Sequence, residues 1–230
     1  MNGFFKESVF FGVALSLLAY AIGTFLNKKT KLAFVNPLLI SIIITVAFLC
    51  ITRIDYYVYY TGAKYLGYLL TPATVCFAVP LYEKLHLLKS NLKAIAAGII
   101  SGVLTSLLCV FVMSLLFKLE HSHYVTLLPK SVTTAIGIGI SEELGGYPAL
   151  TTAMIIVTGV LGNMTAVPIL KLFKITEPVA KGIAIGSASH AIGTSRAMQI
   201  GKTEGAMSSL SIVISGLLTV VAASVFSYFI

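Results

Sequence analysis

The sequence predicts an all-α integral membrane protein of about six to eight membrane segments, some discontinuous or re-entrant, with an internal repeat as a candidate. Three observations predict it. Of the 230 residues, 57% are hydrophobic and 10% charged, at a mean hydropathy of +0.97, whereas soluble domains carry roughly 25% charged residues. Apolar runs of about 18 residues or more recur along the chain. Residues 186–196, Gly-Ser-Ala-Ser-His-Ala-Ile-Gly-Thr-Ser-Arg, interrupt that pattern. Hydrocarbon cannot hydrogen-bond an irregular backbone, so such a stretch survives at membrane depth only beside a cavity or inside protein. No polar segment is long enough for a soluble domain, and residues 1–230 are read as one domain.

Coarse segments fall at 8–26, 33–51, 65–82, 94–117, 125–141, 148–171, 182–200 and 206–229. The first, second, fourth, sixth and eighth are long enough to cross a hydrocarbon core of about 30 Å. The run from Val9 to Leu26 is too long for a cleavable signal core and reads as a retained first helix. The other three segments are short or broken by Pro, Gly and hydroxyl residues. Cys50, Cys76 and Cys109 lie unpaired in apolar stretches, which predicts buried packing.

Orientation follows the lysines. Loops 27–31 (Lys28, Lys29, Lys31), 83–93 (Lys84, Lys89, Lys93) and 171–181 (Lys171, Lys174, Lys181) hold nine of the sixteen basic residues, and such loops stay cytoplasmic. The net charge of +8 is therefore a topology signal with attraction to anionic lipid, and nucleic acid is excluded. Tyr56, Tyr57, Tyr59 and Tyr60 form an aromatic belt on the outer face. Loop 171–181 reaches the cytoplasm only if 125–141 dips in and returns. Segment 182–200 then re-enters from the cytoplasmic side and keeps Arg196 and Lys202 inside.

Leu69-Leu70-Thr71-Pro72-Ala73-Thr74, continuing to Glu83, echoes Leu127-Leu128-Pro129-Lys130-Ser131-Val132-Thr133-Thr134, continuing to Glu142. Paired interrupted segments point to a transporter site.

In segment 129–143, Pro129 fits the first turn of a half-helix, and Ser131, Thr133 and Thr134 either bind a ligand or cap their own backbone. Lys130 either supplies a cation to an anion site or snorkels to the interface. In 186–196, Gly186 and Gly193 permit close approach or positive φ, and Ser187, Ser189, Thr194 and Ser195 offer donors. His190 binds or shuttles a proton, and Arg196 forks onto a carboxylate, unless the stretch is a packed helix interface with Arg196 marking its end. Thr71, Pro72, Thr74 and Pro80 form a third candidate unwound element, and Asn163 reads as an interhelical hydrogen bond or a secondary contact.

His86, His121 and His123 read as solvated loop residues, and no metal site or cofactor motif is evident. All eight carboxylates sit in loops or at segment ends, which argues against a cation pump. A basic, hydroxyl-rich centre favours a small anion. No nucleophile elbow or phosphate loop occurs, so the reading is not an enzyme.

The runs LLPKSVTTAIGIGISEELGG (127–146) and KGIAIGSASHAIGTSRAMQIGKTEGAMSSL (181–210), with LLTPATVCFAVPLY (69–82), resemble the signatures of the LrgB/CidB family of bacterial membrane proteins. The form Ser-His-Ala-Ile-Gly-Thr is closer to the CidB-like side. The resemblance implies a multi-pass protein of the bacterial cytoplasmic membrane and an LrgA/CidA-like small partner. Two roles are implied: an antiholin-like regulator of murein hydrolases and autolysis, or a carrier of small monocarboxylates such as pyruvate, lactate or glycolate, as in the related plastid glycolate/glycerate transporter. Motif positions carried over are Lys130, Ser131, Thr133, Thr134, Ser189, His190, Gly193 and Thr194. Broken helices and buried basic residues favour the carrier. A homodimer is left open.

Overall fold

A computed structural model describes residues 10–30, 36–69, 72, 75–76, 78–83 and 85–230. Among these residues all regular structure is helical. Two compact units form, Met1–Cys76 and Phe77–Ile230.

In the first unit, α1 (Phe11–Thr30) and α2 (Pro37–Thr52) make an antiparallel pair, and α3 (Tyr56–Gly67) packs against the start of α1. Asn36 caps α2 by accepting from the backbone N–H groups of Leu38 and Leu39 at 2.8 and 3.3 Å, with Pro37 at the first helical position, where its missing N–H costs nothing. Asp55 caps α3 through the N–H of Tyr57. Gly12 allows close approach, since a Cβ there would meet the Tyr59 carbonyl and the Ala63 amide. The tyrosine belt thus lies on a helix. Tyr56, Tyr57 and Tyr60 are exposed, while Tyr59 shares a 2.8 Å hydrogen bond with Ser16.

The second unit contains α4 (Ala78–Glu83), α5 (Leu85–Ser90), α6 (Leu92–Phe117), α7 (His121–Leu127), α8 (Thr134–Glu143), α9 (Pro148–Leu172), α10 (Pro178–Ile200) and α11 (Lys202–Phe226), then a 3-10 turn at Ser227–Phe229. With α1, the helices α6, α9 and α11 are long and apolar enough to cross a membrane.

Two helical hairpins enter this frame from opposite ends. The first is α7–α8. Thr151 Oγ1 donates to the Thr126 carbonyl (3.0 Å) and to Ser141 Oγ (2.8 Å), and the Tyr147 amide donates to Thr126 Oγ1 (2.8 Å). The descending limb, the returning limb and the start of α9 therefore lie at one level, and the turn 128–133 is the hairpin's inner tip. The second hairpin is α10 itself, which reverses at His190 (φ 42°, ψ −141°). A Cβ on Gly193 would meet Ser189 Cβ at 2.5 Å and the Ile185 carbonyl at 3.2 Å. Limbs 178–189 and 191–200 thus lie side by side, and Ile185 and Ala197 share one apolar cluster with Ala166 and Leu170 of α9.

Gly98 faces Ile183 and Gly102 faces Ser187, so α6 and the first limb of α10 run in the same direction. Gly182 abuts Glu204 and Met207, and Gly205 abuts Met198, which brings the start of α11 to the same end. That end carries Lys93, Lys171, Lys174, Lys181, Arg196 and Lys202. At the opposite end Phe111, Tyr124 and Phe229 cluster, Tyr124 Oη donates to the Phe226 carbonyl at 2.9 Å, and Lys118, Glu142 and Glu143 supply the charge.

The structure changes several expectations. The long second segment is a 16-residue helix, about 24 Å at 1.5 Å per residue. Pro80, expected in an unwound element, lies inside α4. His86 lies in α5, and His121 and His123 lie in α7. Cys50, Cys76 and Cys109 are exposed rather than buried, because an apolar residue of a membrane helix can face outward without meeting water. Glu204 sits in the first turn of α11 yet is buried beneath the close contact with Gly201 and Gly182. Thr71, Thr74, Lys31 and Lys84 lie outside the described residues, as do Leu70 and Ala73 of the sequence echo.

Candidate functional site

The tip of the first hairpin and the first limb of the second line one cavity beside α6. A cavity of about 480 Å³ is lined there by Lys130 and Ser131 from the first tip and by Ala184, Ser187 and Ala188 from the second hairpin. Helix α6 supplies Gly98, Ser101, Gly102, Thr105, Ser106 and Cys109, one face at helical spacing. Ser106 lies about 2 Å along the axis from the midpoint of this 26-residue helix. The site is therefore at mid-depth of the span.

Lys130 is held by hydroxyls. Its Nζ donates to Ser106 Oγ at 3.2 Å and to Ser131 Oγ at 3.1 Å, and these two oxygens are 3.0 Å apart. Among the described residues no carboxylate pairs with it. An ammonium has three N–H donors, so one is left for a further acceptor. Two hydroxyl dipoles stabilise a cation far less than an anion does, and a half-buried ammonium in an apolar frame attracts a small negative ligand.

The turn that presents Lys130 begins at Leu128. Pro129 opens it rather than the half-helix, since α8 starts only at Thr134. Pro129 accepts from the Val132 amide at 3.2 Å, and Ser131 bonds across to α6 instead of back to its own backbone. Thr133 and Thr134 flank the start of α8, half-buried, and do not line the cavity. Pro72 is exposed in the first unit.

The remaining candidates of 186–196 face elsewhere. Ser187 lines the cavity while donating to the Ile183 carbonyl at 2.8 Å. Ser189 is buried against Gly162, where a Cβ would collide with its side chain. His190 donates from Nε2 to the Ile155 carbonyl at 3.0 Å, which sets its tautomer, and its ring lies on Gly159. Thr194 donates to the His190 carbonyl at 3.0 Å and shares a 2.6 Å hydrogen bond with Ser208 of α11. Gly193 is the close contact between the two limbs. Arg196 donates to Gln199 on its own limb at 2.8 Å, away from the cavity. Asn163 donates to the Ile192 carbonyl (2.8 Å) and to Ser195 Oγ (3.2 Å), the interhelical bond its setting suggested. Ser189, His190, Gly193, Thr194 and Asn163 hold the reversal, whereas Lys130, Ser131 and Ser187 meet at the cavity.

Reading the sequence missed the α6 wall. Its signal was present: Gly98, Ser101, Gly102, Thr105 and Ser106 recur every three to four residues in an otherwise apolar helix.

The LrgB-like family model matches residues 16–229. The chain is 36% identical over 222 residues to proteins named antiholin-like protein LrgB from Bacillus cereus strains B4264 and AH187, covering 96% of this chain and 96% of each relative. No solved structure matches. A match across nearly the whole length, on a membrane frame carrying both signature runs as hairpins, leads to one conclusion: the chain belongs to the LrgB-like family.

Proposed function

We propose that this LrgB-like protein is a multi-pass component of a bacterial cytoplasmic membrane that acts, with an LrgA/CidA-like small partner, as an antiholin-like regulator of murein hydrolases and autolysis. The observation that carries this reading is the 36% identity, over 96% of the chain, to relatives named antiholin-like protein LrgB. The test is complementation of a strain lacking its own LrgB-like gene. Restored control of detergent-induced autolysis and of hydrolase activity in zymograms is expected. Unchanged autolysis with the protein present in the membrane, with or without the partner, overturns the reading.

A second reading is favoured by the cavity: a carrier of small monocarboxylates such as pyruvate, lactate or glycolate. Lys130 held by Ser106 and Ser131 at the middle of α6, where two broken elements meet, is the arrangement such a carrier needs. Lys130 supplies the counter-charge, and Ser131 and Ser187 supply hydroxyls. Thr133, Thr134, Ser189, His190, Gly193 and Thr194 act through the shape of the tips, and Arg196 adds to the charge at the lysine-rich end. Labelled pyruvate or glycolate flux into proteoliposomes tests it. Saturable flux that Lys130→Met abolishes supports the carrier, and no saturable flux with the partner present removes it. The two readings are compatible, since carboxylate flux changes the membrane energetics to which autolysis responds.

A further inference from the structure

The seat at Lys130 has a direction. Its α6 wall runs from Gly98 to Cys109, about 16 Å at 1.5 Å per residue, and the opposite wall, Ala184 to Ala188, belongs to the hairpin that enters from the lysine-rich end. From the hairpin that enters at the other end, among the described residues, the tip residues Lys130 and Ser131 alone reach the cavity. Behind that tip Tyr124, Val125 and Leu128 are buried in one apolar cluster with Leu107 and Val110 of α6, and beyond Cys109 the cavity face of α6 continues as the apolar, outward-facing Val112 and Leu116. Apolar packing at interior density leaves no room for water or an ion.

We infer that the cavity is a one-sided vestibule: Ser101, Thr105 and Ser187 form a hydroxyl path from the lysine-rich end to Lys130, and the seat is closed from the opposite end. This rests on the reading of Lys130 as an anion seat and adds the route and the side of access. Lys93, Lys171, Lys174, Lys181 and Lys202 surround the end from which the path descends. A cluster of one sign raises the local concentration of anions at such a mouth. Lysine-rich ends of membrane proteins lie in the cytoplasm, so a small carboxylate loads from that side. The first limb of α10 comes closest to α6 at Gly98, against Ile183, and at Gly102, against Ser187, so glycines of α6 let the path wall form.

The test is sided thiol labelling of the full-length chain in vesicles with a membrane-impermeant charged maleimide. Ser101→Cys and Thr105→Cys are introduced after Cys50, Cys76 and Cys109 are replaced by Ser. Lys171→Cys marks the lysine-rich end and Glu143→Cys the other. The expected result is labelling of Ser101→Cys and Thr105→Cys only from the side that labels Lys171→Cys. A chain in which only Cys50 and Cys76 are replaced keeps the native Cys109, which lines the same cavity, and provides a second readout without any introduced cysteine. Labelling from the Glu143 side, or from neither side, overturns the vestibule. Pyruvate or glycolate slowing the labelling of Thr105→Cys supports both the vestibule and the anion seat. Sided labelling that no small carboxylate slows keeps the vestibule and removes the carrier reading.

Discussion

His190 and Ile155 are joined across the α9–α10 contact, with the ring Nε2 at 3.0 Å from the carbonyl oxygen, at the one residue where α10 leaves helical geometry. The bond and the reversal depend on each other. A non-glycine residue at φ 42°, ψ −141° costs about 1–3 kcal/mol and persists only where its surroundings over-determine it. Here the imidazole is seated on Gly159, where a Cβ would come within 2.7 Å of Cε1, and Thr194 takes the freed carbonyl of His190.

The strain makes a prediction about rank order. His190→Ala loses the hydrogen bond but keeps the unfavourable backbone, whereas His190→Gly loses the bond and relieves the backbone. We expect the Gly variant to be the more stable of the two by about 1 kcal/mol. Thermal unfolding in detergent reads it. An Ala variant as stable as the Gly variant shows that the reversal is unstrained.

Two glycines separate packing from propensity. A Cβ on Gly186 would lie 2.8 Å from the Ser208 Cα and from Ser211 Cβ, and backbone cannot rotate away. Gly186→Ala should cost about 1–3 kcal/mol by overpacking the α10–α11 contact. Gly139, inside α8, has nothing within 4 Å of its added Cβ. Gly139→Ala should stabilise by about 0.5–1 kcal/mol. Unfolding midpoints of the two variants should move in opposite directions.

Ser114 is buried in α6, and its hydroxyl has no hydrogen-bond partner among the described residues. An unsatisfied buried hydroxyl costs about 1–3 kcal/mol. Ser114→Ala removes it with little change in volume, so a rise in unfolding temperature is expected. A fall would reveal an acceptor for that hydroxyl.

The reversal of α10 also fixes which side its neighbours occupy. Lys171 and Lys202 flank the hairpin and should be labelled as cysteines from one side of the membrane, with Glu143→Cys labelled from the other. Were α10 a crossing helix, Lys202→Cys would be labelled from the side opposite Lys171→Cys.

Much of this was legible along the chain. Pro129 through Thr134 and Gly186 through Thr194 break apolar runs, so interrupted segments could be read from composition. The lysine-rich loops required 125–141 to return to the face it entered, and the hydrogen bonds of Thr126, Ser141 and Thr151 describe that return. Ser106 was not legible as a partner for Lys130. A small-residue face on an apolar helix reads as packing until a second helix is placed against it. The cysteines misled for the opposite reason, since lipid and protein interior are equally apolar neighbours.

Local composition, then, settled that the chain is helical, membrane-borne and twice interrupted, because apolar length and backbone breakers act within a few residues of themselves. Which polar groups face one another was decided only in three dimensions. Lys130 meets Ser106 across 24 positions of sequence and His190 meets Ile155 across 35. The second pairing depends on Gly159 and Gly162, which let α9 approach the α10 hairpin closely.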